Sequence, residues 1–304
     1  MSRTFTVADE GLHPPGGEAL WSESYYYDFA DADASVGGYV RLGVYPNWGR
    51  AWYWACLVRP GEPAVMVADN FVPMPIGLPD GNAEVRGEGY RATQRISRPG
   101  QLVTLEVDAD GFGLDLRWAT AEAVYPYAAT TRYEVPCTVD GSIRWGADGF
   151  ALSGPGQRDH SWGERDWWSM SWLWTAGRLD DGTAFHGTQV NFGPPVPVAG
   201  YVTTPEGDLT DCGDFRSATT FGASGLPLAC AVQVGDLMLT VVPVAYAPVQ
   251  LESATGETAV FLRAMCRFES SDGRRGSGWT EWHQPPGWRT HDWDGFVRDS
   301  PPTT

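Results

Sequence analysis

The chain has 304 residues, a formal net charge of −17 and 13% aromatic residues, with 15 Trp. That length suits two domains of ordinary size or one large β barrel, and the aromatic content can bury large apolar surfaces. The negative charge repels phosphate backbones and anionic bilayers, so neither nucleic-acid binding nor membrane insertion is expected. All 21 basic residues other than His are Arg and none is Lys, which excludes a Schiff-base lysine, a pyridoxal phosphate anchor and a P-loop lysine.

In chain order, the N-terminus has no apolar core of the signal-peptide kind, which points to a cytoplasmic protein. The first cluster is Glu23-Ser24-Tyr25-Tyr26-Tyr27-Asp28-Phe29. On a strand, Tyr25 and Tyr27 share a face, where they pack a core or touch a ligand. Gly38–Tyr45 and Arg50–Val58 read as two strands joined across Pro46-Asn47-Trp48-Gly49. Leu102–Val107 and Gly113–Ala119 flank Asp108-Ala109-Asp110-Gly111 in the same way. Ser153-Gly154-Pro155-Gly156 reads as a turn and places a domain boundary after residue 155, giving units 1–155 and 156–304.

The hairpin Ser169–Leu179 and Thr183–Phe192 is centred on Asp181-Gly182, which favours a two-residue type I′ turn. That register puts Trp172, Trp174, Gln189 and Asn191 on one face, suited to a cavity wall or to solvent at a barrel rim. A short helix is expected over Asp211–Thr219. Leu237–Val249 is Val-rich and broken by Pro243 and Pro248, so it reads as strand rather than membrane helix. Phe261–Glu269 and Gly278–Trp282 flank Ser271-Asp272-Gly273 as a further hairpin, and the tail Ser300–Thr304 reads as loose. Pervasive strands, turns rich in Gly and Pro, and scarce helical periodicity make the chain all-β. The five scattered Cys (56, 137, 212, 230, 266), with no CxxC pair, read as reduced thiols.

The chemistry concentrates in Arg158-Asp159-His160-Ser161-Trp162-Gly163-Glu164-Arg165-Asp166-Trp167-Trp168. An apolar core does not require six ionisable residues and three Trp in eleven positions, because burying charge costs free energy unless each group is paired. Two readings stand side by side. One is an ion network, with Asp159 against Arg158 or Arg165, that locks a joint between domains. The other is an acid, Asp159, with His160 orienting it or a water, beside Trp162, Trp172 and Trp174 as an aromatic wall for a developing cation. On a regular strand Asp159 and His160 point to opposite faces, so the second reading needs an irregular backbone. Gly278-Trp279-Thr280-Glu281-Trp282-His283 places Glu281 on one face with Trp279 and His283, as a second acid or base or as an exposed edge residue. Asp159, His160, His186, Glu281 and His283 are metal-ligand types, but none has a tight ligand spacing, so no metal and no cofactor are expected. Serine-hydrolase, zincin, Walker and dinucleotide-binding motifs are absent.

At Asp159-His160-Ser161-Trp162-Gly163, and more weakly at Gly278-Trp279-Thr280-Glu281, the chain resembles the hydroxyneurosporene synthase (carotenoid 1,2-hydratase) superfamily, which includes the lipocalin-like pericyclases. The resemblance implies two tandem lipocalin-like antiparallel β-barrel domains and a hydrophobic, often isoprenoid, ligand. It also implies protonation of a C=C bond without a redox cofactor, with Asp159, His160 and Trp162 carried over from the family segment. The expected function is therefore a cofactor-independent lyase or isomerase that hydrates, dehydrates or cyclises a terpenoid or steroid. The expected catalytic groups are Asp159, His160 and Glu281. The expected substrate contacts are Trp162, Trp168, Trp172, Trp174, Gln189, Asn191, Tyr25 and Tyr27. A non-catalytic carrier of an apolar molecule is the alternative, and a homo-oligomer is compatible with either.

Overall fold

The computed structural model describes residues 5–121, 124–191, 197–253, 256–284 and 297–299; the tail expected to be loose lies outside them. No α-helix occurs among the described residues, so no helix there is long and apolar enough to cross a membrane. The chain divides into two compact units. The first runs through Asp31 and includes Val36–Val58 and Pro63–Arg165; the second comprises Ala32–Ser35, Arg59–Glu62 and the chain from Asp166 onward.

The first unit holds β1 (Trp21–Ala30), β2 (Gly37–Tyr45), β3 (Arg50–Val58), β4 (Val65–Pro73), β5 (Ala83–Gly87), β6 (Tyr90–Arg98), β7 (Leu102–Ala109), β8 (Phe112–Ala119), β9 (Tyr125–Pro126), β10 (Arg132–Trp145) and β11 (Asp148–Glu164). They form one sheet in the order β4-β3-β2-β1-β11-β10-β8-β7-β6-β5, with β9 on β10. The sheet curls until its ends meet, where Tyr90 on β6 donates to Asp69 on β4 at 2.9 Å. Its interior is packed by Tyr25, Tyr27, Phe29, Leu42, Trp118 and Val135, among others.

The second unit holds β12 (Ser171–Leu179), β13 (Ala184–Asn191), β14 (Val198–Thr203), β15 (Leu209–Asp211), β16 (Phe215–Phe221), β17 (Pro227–Val234), β18 (Leu237–Tyr246), β19 (Val249–Glu252), β20 (Thr258–Ser270), β21 (Arg275–Gln284) and β22 (Val297–Asp299). Their order is β15-β14-β13-β12-β21-β20-β18-β17-β16-β22, with β19 on β20. Leu173, Phe185, Phe215, Leu262, Phe268 and Trp282 fill the concave side. One nearly closed barrel and one half-barrel make the expected pair of lipocalin-like domains.

Two kinds of strand coexist. β6–β8 and β16–β18 alternate buried and exposed residues, as strands with one wet face must. By contrast β1 and β2 are buried at every position, and β3, β12 and β21 nearly so. Their second faces carry buried polar groups, among them Asp28, Arg41 and Glu281.

Three local expectations are corrected. Ser153–Gly156 is not a turn but lies inside β11, paired to β10 from Ser161 back to Asp148. Its glycines serve close approach: a Cβ on Gly154 would lie 2.0 Å from the Ala30 carbonyl oxygen, and one on Gly156 2.4 Å from that of Asp28. The division expected after residue 155 therefore falls within a strand, and the units part between Arg165 and Asp166. Asp211–Thr219 is not helical; it ends β15 and begins β16.

The hairpin β12–β13 also turns differently. Its loop is Asp180-Asp181-Gly182, closed by Leu179 N–H to the Thr183 carbonyl at 2.8 Å and Gly182 N–H to the Leu179 carbonyl at 3.0 Å. Gly182 takes a φ of 96°, as a three-residue loop ending in a left-handed residue requires. One extra loop residue shifts the register, so Trp172 faces Val190, Trp174 faces Thr188 and Leu173 faces Gln189.

Candidate active site

The Asp159–His160 pair is divided by the regularity of β11. Residues 158–161 pair with β1 on one side and β10 on the other without interruption, so successive side chains point to opposite faces. The irregular backbone that would bring the two together does not occur.

His160 enters the barrel interior, where its ring stacks on Tyr25 at 4.3 Å and meets Tyr133 edge-on at 5.4 Å. Its Nε2 lies 2.5 Å from Glu23 Oε1. His13, which arrives in the segment before β1, places Nδ1 2.8 Å from the same oxygen and stacks on Trp162 at 3.7 Å. Burial pushes the Glu23 carboxyl up, but its hydrogen bonds with His13 and His160 and its electrostatic interaction with His160 outweigh it and leave the group below its ordinary range. Deeper in, Glu10 pairs with Arg158 at 2.8 and 3.1 Å and accepts from Tyr133 Oη at 2.8 Å and Gly100 N–H at 2.6 Å. Against the cost of burial, Arg158 above all brings the Glu10 pKa down to about 2. Burial pushes the Tyr25 and Tyr27 phenols far up, so both are neutral core residues.

Asp159 lies on the other face, in cross-strand register with Arg41, Tyr26 and Glu134. Arg132 Nη2 donates to it at 2.7 Å and Arg132 Nε to Glu134 at 2.7 Å; Gln157 donates to Glu134 at 2.9 Å. Of the two expected partners, Arg158 belongs to Glu10 on the opposite face, while Arg165 interacts electrostatically with Asp159. Arg165 donates to Ser161 Oγ at 2.9 Å, its pKa drawn down to about 10 by burial and then by Arg132 and Arg41. Asp159 is thus an acceptor inside an ion network. Asp159→Asn should cost about 1–3 kcal/mol in chemical denaturation, because Arg132 keeps Glu134. A wild-type midpoint would refute that role.

In the second unit, one side of the β13-β12-β21-β20 sheet collects groups of a different kind. Two adjacent cross-strand rows are Val190-Trp172-His283-Phe261 and Thr188-Trp174-Glu281-Arg263. This side is turned away from Leu173, Leu262 and Trp282. Glu281 is 7% exposed and accepts hydrogen bonds from Trp172 Nε1 and Arg263 Nη2. The Trp172 ring stacks on His283 at 3.9 Å, and Arg263 lies over Phe261 at 4.4 Å. His283 Nε2 donates to the Trp167 carbonyl at 2.7 Å, and the Trp167 ring packs edge-on against Phe261. Trp174 leans on His186, whose Nδ1 donates to the Thr175 carbonyl at 3.0 Å.

Trp172, Trp174 and Glu281 therefore belong together. Gln189 and Asn191 do not join them: they face Leu173 and Ser171 on the opposite side of the sheet. Trp168 is half-buried, with its backbone N–H on Asp166. Arg263 and Phe261 escaped sequence reading, and Trp167 stands out there only as part of the Arg158–Trp168 segment. Arg263 carried one signal, as the lone cation within an otherwise apolar stretch from Ala259 to Cys266.

The family model described as "Domain of unknown function (DUF7064)" matches residues 6–286. No curated protein matches the sequence. Among solved structures, the AttH-like protein of Nitrosomonas europaea superposes with a TM-score of 0.66 at 14% identity, covering 91% of this chain and 95% of that one. CghA in complex with Sch210972 gives 0.66 at 10% identity, covering 93% and 96%. Kievitone hydratase from Nectria haematococca gives 0.65 at 9% identity, covering 93% of each. At these identities the likeness is one of fold. The chain belongs to the DUF7064 family, whose model spans both of its lipocalin-like units.

Proposed function

We propose that this protein is a lyase or isomerase that moves protons on an apolar substrate of the terpenoid or steroid kind, without a redox cofactor, at Glu281. The observation that carries the reading is a buried carboxylate held by Trp172 and Arg263 on a side of the sheet otherwise made of Trp172, Trp174, Phe261 and His283. Aromatic faces stabilise a developing carbocation without forming a bond to it. A fixed carboxylate beside that charge accepts a proton from the adjacent carbon or, in the reverse direction, returns it to an alkene. Arg263 balances the carboxylate in both directions. A neighbour of the same fold is named a hydratase, a reaction of this type.

Asp159 and His160 take supporting roles in this proposal. Asp159 holds Arg132 in place, and His160 closes the barrel interior with Glu23. The resemblance to carotenoid hydratases accordingly supplies the reaction type rather than the acid.

Incubating the purified protein with terpenoid and steroid alcohols and alkenes, followed by mass spectrometry, tests the proposal. A product isomeric with its substrate, or lighter or heavier by one water, is the expected result. A ligand that co-purifies and returns unchanged from every incubation supports the carrier reading instead.

A further inference from the structure

The proton count around His160 leaves a gap that a cation fills. Glu10, ionised beside Arg158, can only accept, so the Tyr133 hydroxyl spends its hydrogen on Glu10 Oε2 at 2.8 Å. His160 Nδ1 lies 3.2 Å from the Tyr133 oxygen and 3.2 Å from the Asp9 carbonyl oxygen. Both of these partners accept, so Nδ1 carries the hydrogen. In a neutral imidazole, Nε2 then points a lone pair at Glu23 Oε1, 2.5 Å away, which is repulsive. Either a second proton lies between them, or the two atoms move apart to share a metal ion.

The surroundings favour the ion. Among the described residues, His13, Glu23 and His160 are the one group whose ligand atoms converge, all within 4.8 Å of one another. The side chains of Glu23 and His160 are fully buried, whereas that of His13 is 23% exposed, so the cluster is closed on one side and reachable on the other. The Asp9 carbonyl and Tyr133 supply the outer partner that a metal-bound imidazole characteristically has on its other nitrogen. The His13 backbone N–H holds Glu23 Oε2 at 2.9 Å, which fixes the carboxylate and turns Oε1 toward the two rings.

We propose that His13 Nδ1, Glu23 Oε1 and His160 Nε2 form a binding site for a divalent transition-metal ion of the zinc class. Two imidazoles and one carboxylate match zinc, and the fourth position, on the His13 side, is taken by water. Zinc bonds of about 2.0–2.1 Å set tetrahedral ligand atoms roughly 3.3 Å apart, so Glu23 and the two rings need to separate by less than about 1 Å. The ion ties the segment before β1 to β1 and β11. The site is independent of the reaction proposed at Glu281.

Metal-stripped full-length protein titrated with Zn2+ against a chromophoric competitor should take up one ion per chain, and Co2+ should give the visible absorption of a four-coordinate nitrogen and oxygen site. Glu23→Gln and His13→Ala should each weaken Zn2+ binding by more than about 100-fold, beyond the loss caused by removing an outer partner. Should Glu23→Gln fail to fold, His13→Ala alters a partly exposed side chain and still decides the matter. On adding Zn2+, the 15N resonance of His160 Nε2 should move while Nδ1 keeps its hydrogen. Zn2+ bound far below one per chain, equal affinity in wild type and His13→Ala, or an unmoved Nε2 resonance each overturns the site.

Discussion

Glu10→Gln is expected to lower the stability of the first unit by about 3–5 kcal/mol, the cost of leaving a buried charge without its partner. Glu10 and Arg158 are both buried, 148 residues apart in sequence, and joined by two hydrogen bonds. The pair anchors the segment before β1 inside the barrel, with Tyr133 and Gly100 completing the carboxylate's contacts. Replacing both partners with apolar residues of similar volume, as in Glu10→Leu with Arg158→Met, should recover most of the loss. The pH dependence follows from the Glu10 carboxyl, whose pKa lies at about 2 in the folded chain against 4.5 as its reference. Its contribution, about 3 kcal/mol, is complete above pH 4.5 and is lost as the pH falls from there through about 2. Urea denaturation across that range should show the acid-side decline shallower in Glu10→Gln than in wild type. Parallel declines would show that the carboxylate is not what Arg158 stabilises.

The second large effect is expected at Glu281. Removing a positioned acid or base costs about 10²–10⁴-fold in rate, and Glu281→Gln should show a loss of that order. The single substitution also removes the ion pair of buried Arg263, so some loss of stability accompanies it. Glu281→Gln with Arg263→Gln removes both charges and keeps the hydrogen-bonding shape. The double variant should fold near wild-type stability, retain ligand affinity and remain inactive. Trp172→Phe tests the aromatic part: it deletes the Nε1 donor to Glu281 but keeps a ring over His283. An intermediate rate is expected there, and a wild-type rate would remove Trp172 from the mechanism.

Much of the fold was legible because local chemistry agreed with it. Pro46-Asn47-Trp48-Gly49 separates two runs that pair residue for residue as β2 and β3. The single cavity-lining face expected of the hairpin at Asp181-Gly182 was not legible, since two- and three-residue loops share that dipeptide and differ only in whether Asp180 joins the loop. A slip of one residue was enough to move Gln189 and Asn191 to the other side of the sheet. The Gly-Pro-Gly run failed as a turn signal because its glycines answer to crowding against β1, a contact that sequence does not display.

The candidate site divides in the same way. The charge density of Arg158–Asp166 correctly announced buried ion pairs, but two of the partners lie far away in sequence: Arg132 beside Asp159 and Glu10 beside Arg158. Glu281 was legible because Trp279, Glu281 and His283 alternate on one strand. Arg263, on the neighbouring strand, becomes its partner only through the pairing of β20 with β21. His13 gave no signal, being one histidine in a loop rich in Gly and Pro.

The central claim, proton transfer at Glu281 on an apolar substrate, is tested most directly by reaction in D2O. Once a converted terpenoid or steroid is in hand, wild-type protein should place one solvent deuteron on carbon in the alkene-protonating direction. The Glu281→Gln, Arg263→Gln variant should bind the same compound and leave it unlabelled. Deuterium incorporated by the variant at the wild-type rate, or product formed by wild type in the alkene-protonating direction without a solvent deuteron on carbon, would contradict the account.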